Sequence, residues 1–233
     1  MTDIDAAEFF DRDEVKNLSQ IVAEKLQEMI YTGKLKPGER LIQNELASFF
    51  KVSRVAIRDA LQELKQSGLA VSVSSSGGTC VRPISEKDIS DVAFVRDALE
   101  PVIAVEACRK IDDDGISLLK DCIRKQVLIS EAKDYIGYIH ADWDFHKTLY
   151  SYAGNSLALD MIEKLWMRAS QARGMVLMDI KWGEVWCKKS VNNHNLIVQA
   201  VVDRDIERLH AIIRNNITSA EKEQLEWLSQ VKA

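Results

Sequence analysis

Two aspartate–histidine pairs at four-residue spacing stand out in the chain, Asp142 with His146 and His140 with Asp144. On a helix this spacing sets a carboxylate and an imidazole on one face, where they can share a divalent cation or a hydrogen bond. Periodicity separates the two pairs. Ile136, Ile139, Trp143 and Leu149 form the apolar side, and Asp142 and His146 fall within it. His140 and Asp144 align instead with Gly137, Lys147 and Ser151. His194 shares a stripe with Ile197, Val198 and Val201, and Asn216 shares one with Leu209, Ile213 and Ala220, whereas His210 aligns with Glu207 and Arg214. Asp142, His146, His194 and Asn216 are therefore expected inside, where a bare carboxylate is costly unless paired or coordinated. A buried Asp–His hydrogen-bonded pair and a metal site both meet that condition. Imidazole plus carboxylate suits Zn²⁺, Ni²⁺ or Mn²⁺ without choosing among them.

A second chemistry belongs to the arginines after Ser53. Ile57, Ala60, Leu61 and Leu64 form one apolar stripe, while Arg54, Arg58, Gln62 and Lys65 occupy another face. One face can pack and the other can enter a major groove, where an arginine donates two hydrogen bonds to guanine O6 and N7. The net charge of −5 over 233 residues hides a polarised distribution. Residues 1–14 carry −5, residues 15–82 carry +4 and residues 83–233 carry −4. The basic charge sits where the groove-reading face is expected. The four cysteines, Cys80, Cys108, Cys122 and Cys187, form no C-x-x-C pair, so a zinc finger is excluded and free thiols are expected.

The elements that must position these residues follow from spacing and breakers. Residues 1–14 read as an acidic tail. A helix is expected over Asn17–Tyr31, a short one near Gln43–Phe50, and a third from an N-cap at Ser53 to about Gly68. Val71–Val73 and Thr79–Val81, broken by serines and the Gly77-Gly78 pair, read as a hairpin. Three helices and a hairpin make a winged helix-turn-helix over 15–82. A linker is placed at 83–88. An all-helical domain over 89–229 is built from six helices, at 86–110, 114–131, 133–153, 156–179, 183–203 and 205–229. The fold class is mainly α. No apolar run reaches the length of a membrane span, and the acidic N-terminus is not a signal peptide, so a cytoplasmic location is expected.

The run Gly38-Glu39-Arg40-Leu41, Glu45-Leu46-Ala47, Val52 to Leu61, Leu64, Gly68-Leu69 and the wing close at Gly78–Val81 resembles the GntR family of regulators. The resemblance implies that operator double-stranded DNA is bound by Arg54 and Arg58, with Ser53, Asn44, Lys65 and the wing glycines Gly77 and Gly78 in the interface. The C-terminal half is similar to the FCD ligand-binding domain of the FadR subfamily. The similarity rests on Arg96–Glu100, Asp142–His146 with Leu149 and Ala153-Gly154-Asn155, and His194 with Arg204-Asp205. It implies a divalent metal held by Asp142, His146 and His194, with Asn216 where relatives carry a fourth ligand, a histidine. It also implies an effector reached by Arg96, with Arg168 and Arg173 as further candidates. Metal and arginine together favour a small organic acid or sugar acid.

The resulting expectation is a homodimeric, ligand-responsive transcriptional regulator, with repression as the expected sign. A metal-free regulator that holds an acyl thioester or another apolar effector is the alternative. A metal-dependent enzyme is the remote one, since no general base or nucleophile accompanies the Asp–His set.

Overall fold

The computed structural model describes residues 17–73, 77–178 and 182–232. The acidic tail at 1–14 and the serines of the wing, 74–76, lie outside the described residues. Three helices come first, α1 (Leu18–Tyr31), α2 (Gln43–Phe50) and α3 (Arg54–Gln66), and then the strands β1 (Ala70–Val73) and β2 (Gly78–Val81). The six that follow are α4 (Glu86–Lys110), α5 (Asp113–Glu131), α6 (Tyr135–Ser151), α7 (Ser156–Met178), α8 (Gly183–Val202) and α9 (Ile206–Lys232). This is the winged helix-turn-helix and six-helix bundle expected from the sequence.

Local chemistry fixes the boundaries. Asn17 and Gln20 form a reciprocal capping box on α1. Ser53 caps α3 by accepting from the Ala56 amide. Lys51, in the left-handed region at φ 55°, makes the sharp turn between α2 and α3. Ser85 caps α4, so helix begins at Glu86 and the extended connection is shorter than the 83–88 segment expected as linker. β1 and β2 pair antiparallel with Val73 opposite Gly78, which places Gly78 in the strand rather than at the hairpin tip.

The reader's core is Leu26, Ile30, Ile57, Leu61, Leu64, Leu69 and Val81, and it runs on into Tyr138, Ile139, Leu177 and Cys187 of the bundle. The bundle has its own core around Leu119, Phe145, Leu149, Ile162, Ile197 and Leu209. The reader therefore leans on the bundle through buried apolar surface. At the contact, Gly174 of α7 meets the backbone of Tyr31. A Cβ on Gly174 would lie 2.6 Å from the Tyr31 carbonyl oxygen, so only glycine allows the approach. All four cysteines are free thiols.

Candidate functional site

Helix α6 carries Asp142 and His146 on its buried face, and α8 brings His194 against them. The ligating atoms of the three all lie within 4.8 Å of one another. His194 Nε2 is 3.1 Å from His146 Nε2 and 3.4 Å from Asp142 Oδ1. His140 and Asp144, the competing pair, are exposed, and Lys125 lies 3.4 Å from the Asp144 carboxylate.

The groups behind the two imidazoles set their tautomers. Gln126 donates its Nε2 to the Ala141 carbonyl, so its Oε1 faces His194 Nδ1 at 2.7 Å and accepts the Nδ1 proton. Tyr150 spends its one hydroxyl hydrogen on Glu100 Oε2 at 2.9 Å, and so accepts from His146 Nδ1 at 3.1 Å. Burial keeps both rings neutral. It pushes His146 well below the usual histidine range, helped by His194, and lowers His194 to about 4. Each Nε2 then presents a lone pair toward the other and toward the Asp142 carboxylate. Three acceptors converge with no proton among them, an arrangement that a cation relieves. One carboxylate and two neutral imidazoles fit a borderline divalent ion such as Zn²⁺, Ni²⁺ or Mn²⁺. Asn216 lines the same cavity, half-buried, with its amide available as a neutral donor atom.

Around this set the charges cancel in pairs. Arg173 of α7 donates to Asp142 Oδ2 at 3.0 Å, and Ser190 of α8 donates to Oδ1 at 2.8 Å. Arg96 of α4 donates to Glu100 at 2.6 Å. Both guanidiniums stack on Trp166, 4.4 and 4.2 Å from the ring centre. A 2+ ion added to these balanced pairs leaves the site positive, which favours an anion. The cavity encloses about 500 Å³ of empty space, its solvent-facing mouth included. Lys189, Asn193, Ser219 and Glu223 also line it, with Lys189 paired to Glu223. Arg96 lies in this cavity as expected. Arg168 does not. It reaches toward Asp88 and lies over Gly68, at the junction of reader and bundle, because α7 turns that face away from α6 and α8.

On the reader, Arg54, Arg58, Ser53 and Asn44 are exposed, as are Gly77 and Gly78 beside the hairpin turn. Lys65 is half-buried, and Arg58 is held 3.1 Å from Asp59. The buried faces of α3 leave Arg54, Arg58 and Gln62 directed to solvent.

Residues 18–81 match the bacterial regulatory proteins of the gntR family, and residues 91–219 match the FCD domain. The chain belongs to the GntR family, with an FCD domain. Like its relatives, this GntR regulator is a DNA-binding transcriptional regulator and not an enzyme. The transcriptional repressor RspR of Escherichia coli strain K12 is 24% identical to it over 197 residues, 83% of this chain and 86% of that one. The transcriptional repressor NanR of Klebsiella aerogenes is 26% identical over 226 residues, 88% and 84% of the two chains. Its fold is that of Escherichia coli McbR/YncC, with a TM-score of 0.75 at 21% identity over 94% of this chain and all of that one. A GntR regulator of Rhodococcus sp. RHA1 superposes with a TM-score of 0.73 at 21% identity. No helix among the described residues of this GntR protein is long and apolar enough to cross a membrane.

Several residues of the site were not read from the sequence. Gln126, Ser190, Tyr150, Glu100 and Trp166 all contact it. Two had a visible signal: Ser190 precedes His194 by one helical turn, and Glu100 follows Arg96 by one.

Proposed function

We propose that this protein is a dimeric operator-binding repressor whose affinity for DNA responds to a small carboxylate held at a divalent-metal site in the bundle. The observation that carries the reading is the convergence of the two Nε2 lone pairs and the Asp142 carboxylate in a cavity on the same chain as a groove-reading helix. Asp142, His146 and His194 would hold the ion, with Asn216 as a weaker neutral donor. When bound, the ion supplies a positive centre for a carboxylate oxygen. The chain's own residues do the rest: Gln126 and Tyr150 hold the rings in register, and Arg173 and Ser190 orient Asp142. Trp166 and Trp186 wall off water, and Lys189 offers a second cation near the mouth. The charged lining weighs against an acyl thioester buried directly.

Helix α7 supports a link between the site and the reader. Arg173 reaches Asp142, its neighbour Gly174 meets Tyr31 of α1, and Gln171 donates to the Arg82 carbonyl at 2.8 Å. A ligand that redirects Arg173 thus acts on the helix that seats the reader. Dimerisation is supported by the exposed apolar side chains Phe94, Val95 and Val102 on α4 and Leu157 and Met161 on α7. Repression is the proposed sign because RspR and NanR are named repressors.

The test is metal analysis of the purified protein, followed by a thermal-shift screen of organic and sugar acids against the metal-loaded chain. A stoichiometric divalent metal and a stabilising carboxylate are expected. No metal under any loading condition, for the parent and for Asn216→His alike, would show that the Asp–His cluster is structural.

A further inference from the structure

A second cavity lies beside the connection between reader and bundle, walled by the Arg82–Ile84 segment, α4, α7 and α9, and separate from the metal site apart from a shared wall at Arg96 and Ile217. Three of its polar side chains have hydrogen-bonding capacity to spare: Gln224 is buried, whereas Arg168 and Arg82 are half-buried. Arg168 makes no hydrogen bond among the described residues. Its Nε is fully buried without a partner, and its only ion pair, to Asp88, is long at 3.6 Å. Gln224 of α9 is buried, with 6% of its surface exposed, and its amide forms no hydrogen bond among the described residues. Arg82 donates from Nε to the Gly68 carbonyl, and its two terminal nitrogens make no hydrogen bond among the described residues. Burial first, and then the neighbouring Arg168 guanidinium, pull Arg82 below the usual arginine range, so the two cations crowd one another. Two carboxylates, Asp88 and Glu221, also line the cavity, and Asp88 offsets part of this crowding. Asp88 is already engaged with the Ser85 hydroxyl at the cap of α4. Glu221 is half-exposed and also lines the solvent-facing groove beside α9. Apart from Arg96 and Gln171, the remaining wall is apolar, chiefly Ile84, Ile89, Val92, Ala172 and Ile217.

We infer that this cavity is a second small-molecule site that takes a short aliphatic monocarboxylate. The carboxylate would lie between Arg168 and Arg82 with the Gln224 amide as a third donor, and the alkyl tail would lie on the isoleucine wall. Two guanidiniums and an amide satisfy two carboxylate oxygens, and the planar fork of arginine suits that geometry better than any other cation. The cavity is narrow and its apolar wall is built from branched aliphatic side chains, which suits a short, slender alkyl chain. The position gives the site leverage on DNA reading. Arg82 leaves β2 directly and holds the end of α3 through Leu69 and Gly68, while Arg168 lies over Gly68, where a Cβ would come within 3.0 Å of its Cγ. This site is distinct from the metal site and does not depend on it.

The experiment is calorimetric titration of sodium hexanoate into the full chain and into the Arg168→Gln, Gln224→Leu and His194→Ala variants, with hexylamine as the charge control. Hexanoate is expected to bind the parent. His194→Ala should keep that binding, because it alters only the metal cluster. Arg168→Gln and Gln224→Leu should each weaken it, Arg168→Gln by roughly ten- to a hundredfold, the worth of a charge-assisted hydrogen bond. Gln224→Leu is close in volume and removes only polar atoms, so it guards against a folding artefact at Arg168. Hexylamine should not bind. Absence of hexanoate binding in the parent would mean that the cavity holds water alone and would overturn the inference. So would binding that hexylamine matches, binding lost in His194→Ala, or binding that both cavity variants leave intact.

Discussion

Gln126 and Tyr150 decide what the two buried imidazoles can do, because each takes an Nδ1 proton and leaves Nε2 bare. Gln126→Leu is therefore expected to lower metal affinity about 10–100-fold while all ligands remain, since groups that orient a ligating imidazole typically matter by that factor. Calorimetric metal titration checks it, and an unchanged affinity would remove the tautomer argument. In the same titration His194→Ala should abolish most binding, His140→Ala and His210→Ala should not, and Asn216→His should tighten it. The pH dependence of the metal-stripped protein has a definite sign. A histidine buried neutral, lowered from 6.5 to about 4, contributes stability that is complete above 6.5 and lost as pH falls toward 4. For His194 that loss is on the order of 3 kcal/mol, read as a fall in denaturation midpoint that is smaller in His194→Ala, where only His146 of the pair remains to titrate. Asp142, His146 and His194 were legible in the sequence because each is a polar residue set in an apolar stripe. Gln126 obeys the same rule, seven residues beyond buried Leu119 and three beyond Ile123. Pairing across helices is what periodicity omits: Arg173 and Asp142 are 31 residues apart, and no spacing rule joins them.

Among the elements, α3 and α7 carry the two ends of the account. The helix boundaries were legible almost throughout, since Asn17, Ser53, Ser85 and Asp112 are side-chain caps with a local signature. The orientation of α7 was not. Arg168 and Arg173 are five residues apart and so face different sides, and only packing decides which one meets α6. On α3, Arg54→Ala or Arg58→Ala is expected to cost about 1–3 kcal/mol of operator binding and to relax preference at one base pair. Lys51→Ala should weaken binding uniformly and flatten its salt dependence. Binding assays on operator variants across a salt series separate the two behaviours. On α7, Gly174→Ala forces a Cβ against the Tyr31 backbone. A cost of about 1–3 kcal/mol in stability is expected from such overpacking, together with a smaller response of operator affinity to effector. Thermal unfolding and DNA binding of that variant check both. Full wild-type coupling in Gly174→Ala would take α7 out of the signalling route.

At the scale of the whole molecule, one chain presents a single short recognition helix, and a two-fold pair is the usual way to read enough base pairs. Sedimentation analysis is expected to show a dimer, and Phe94→Glu on the exposed stripe of α4 should shift it toward monomer and weaken binding to a two-half-site operator. A monomer that binds a lone half-site at full affinity would contradict this. The central claim is that occupancy of the bundle and occupancy of the reader are coupled. Linkage makes the coupling reciprocal, so whatever factor the effector imposes on operator affinity, the operator must impose on effector affinity. The decisive measurement is calorimetric affinity of the metal-loaded protein for the carboxylate found by screening, taken with and without saturating operator duplex. A weaker affinity in the presence of operator, by the same factor as the carboxylate weakens operator binding, is the result predicted for an effector that relieves repression. Equal affinities in the two titrations would contradict it.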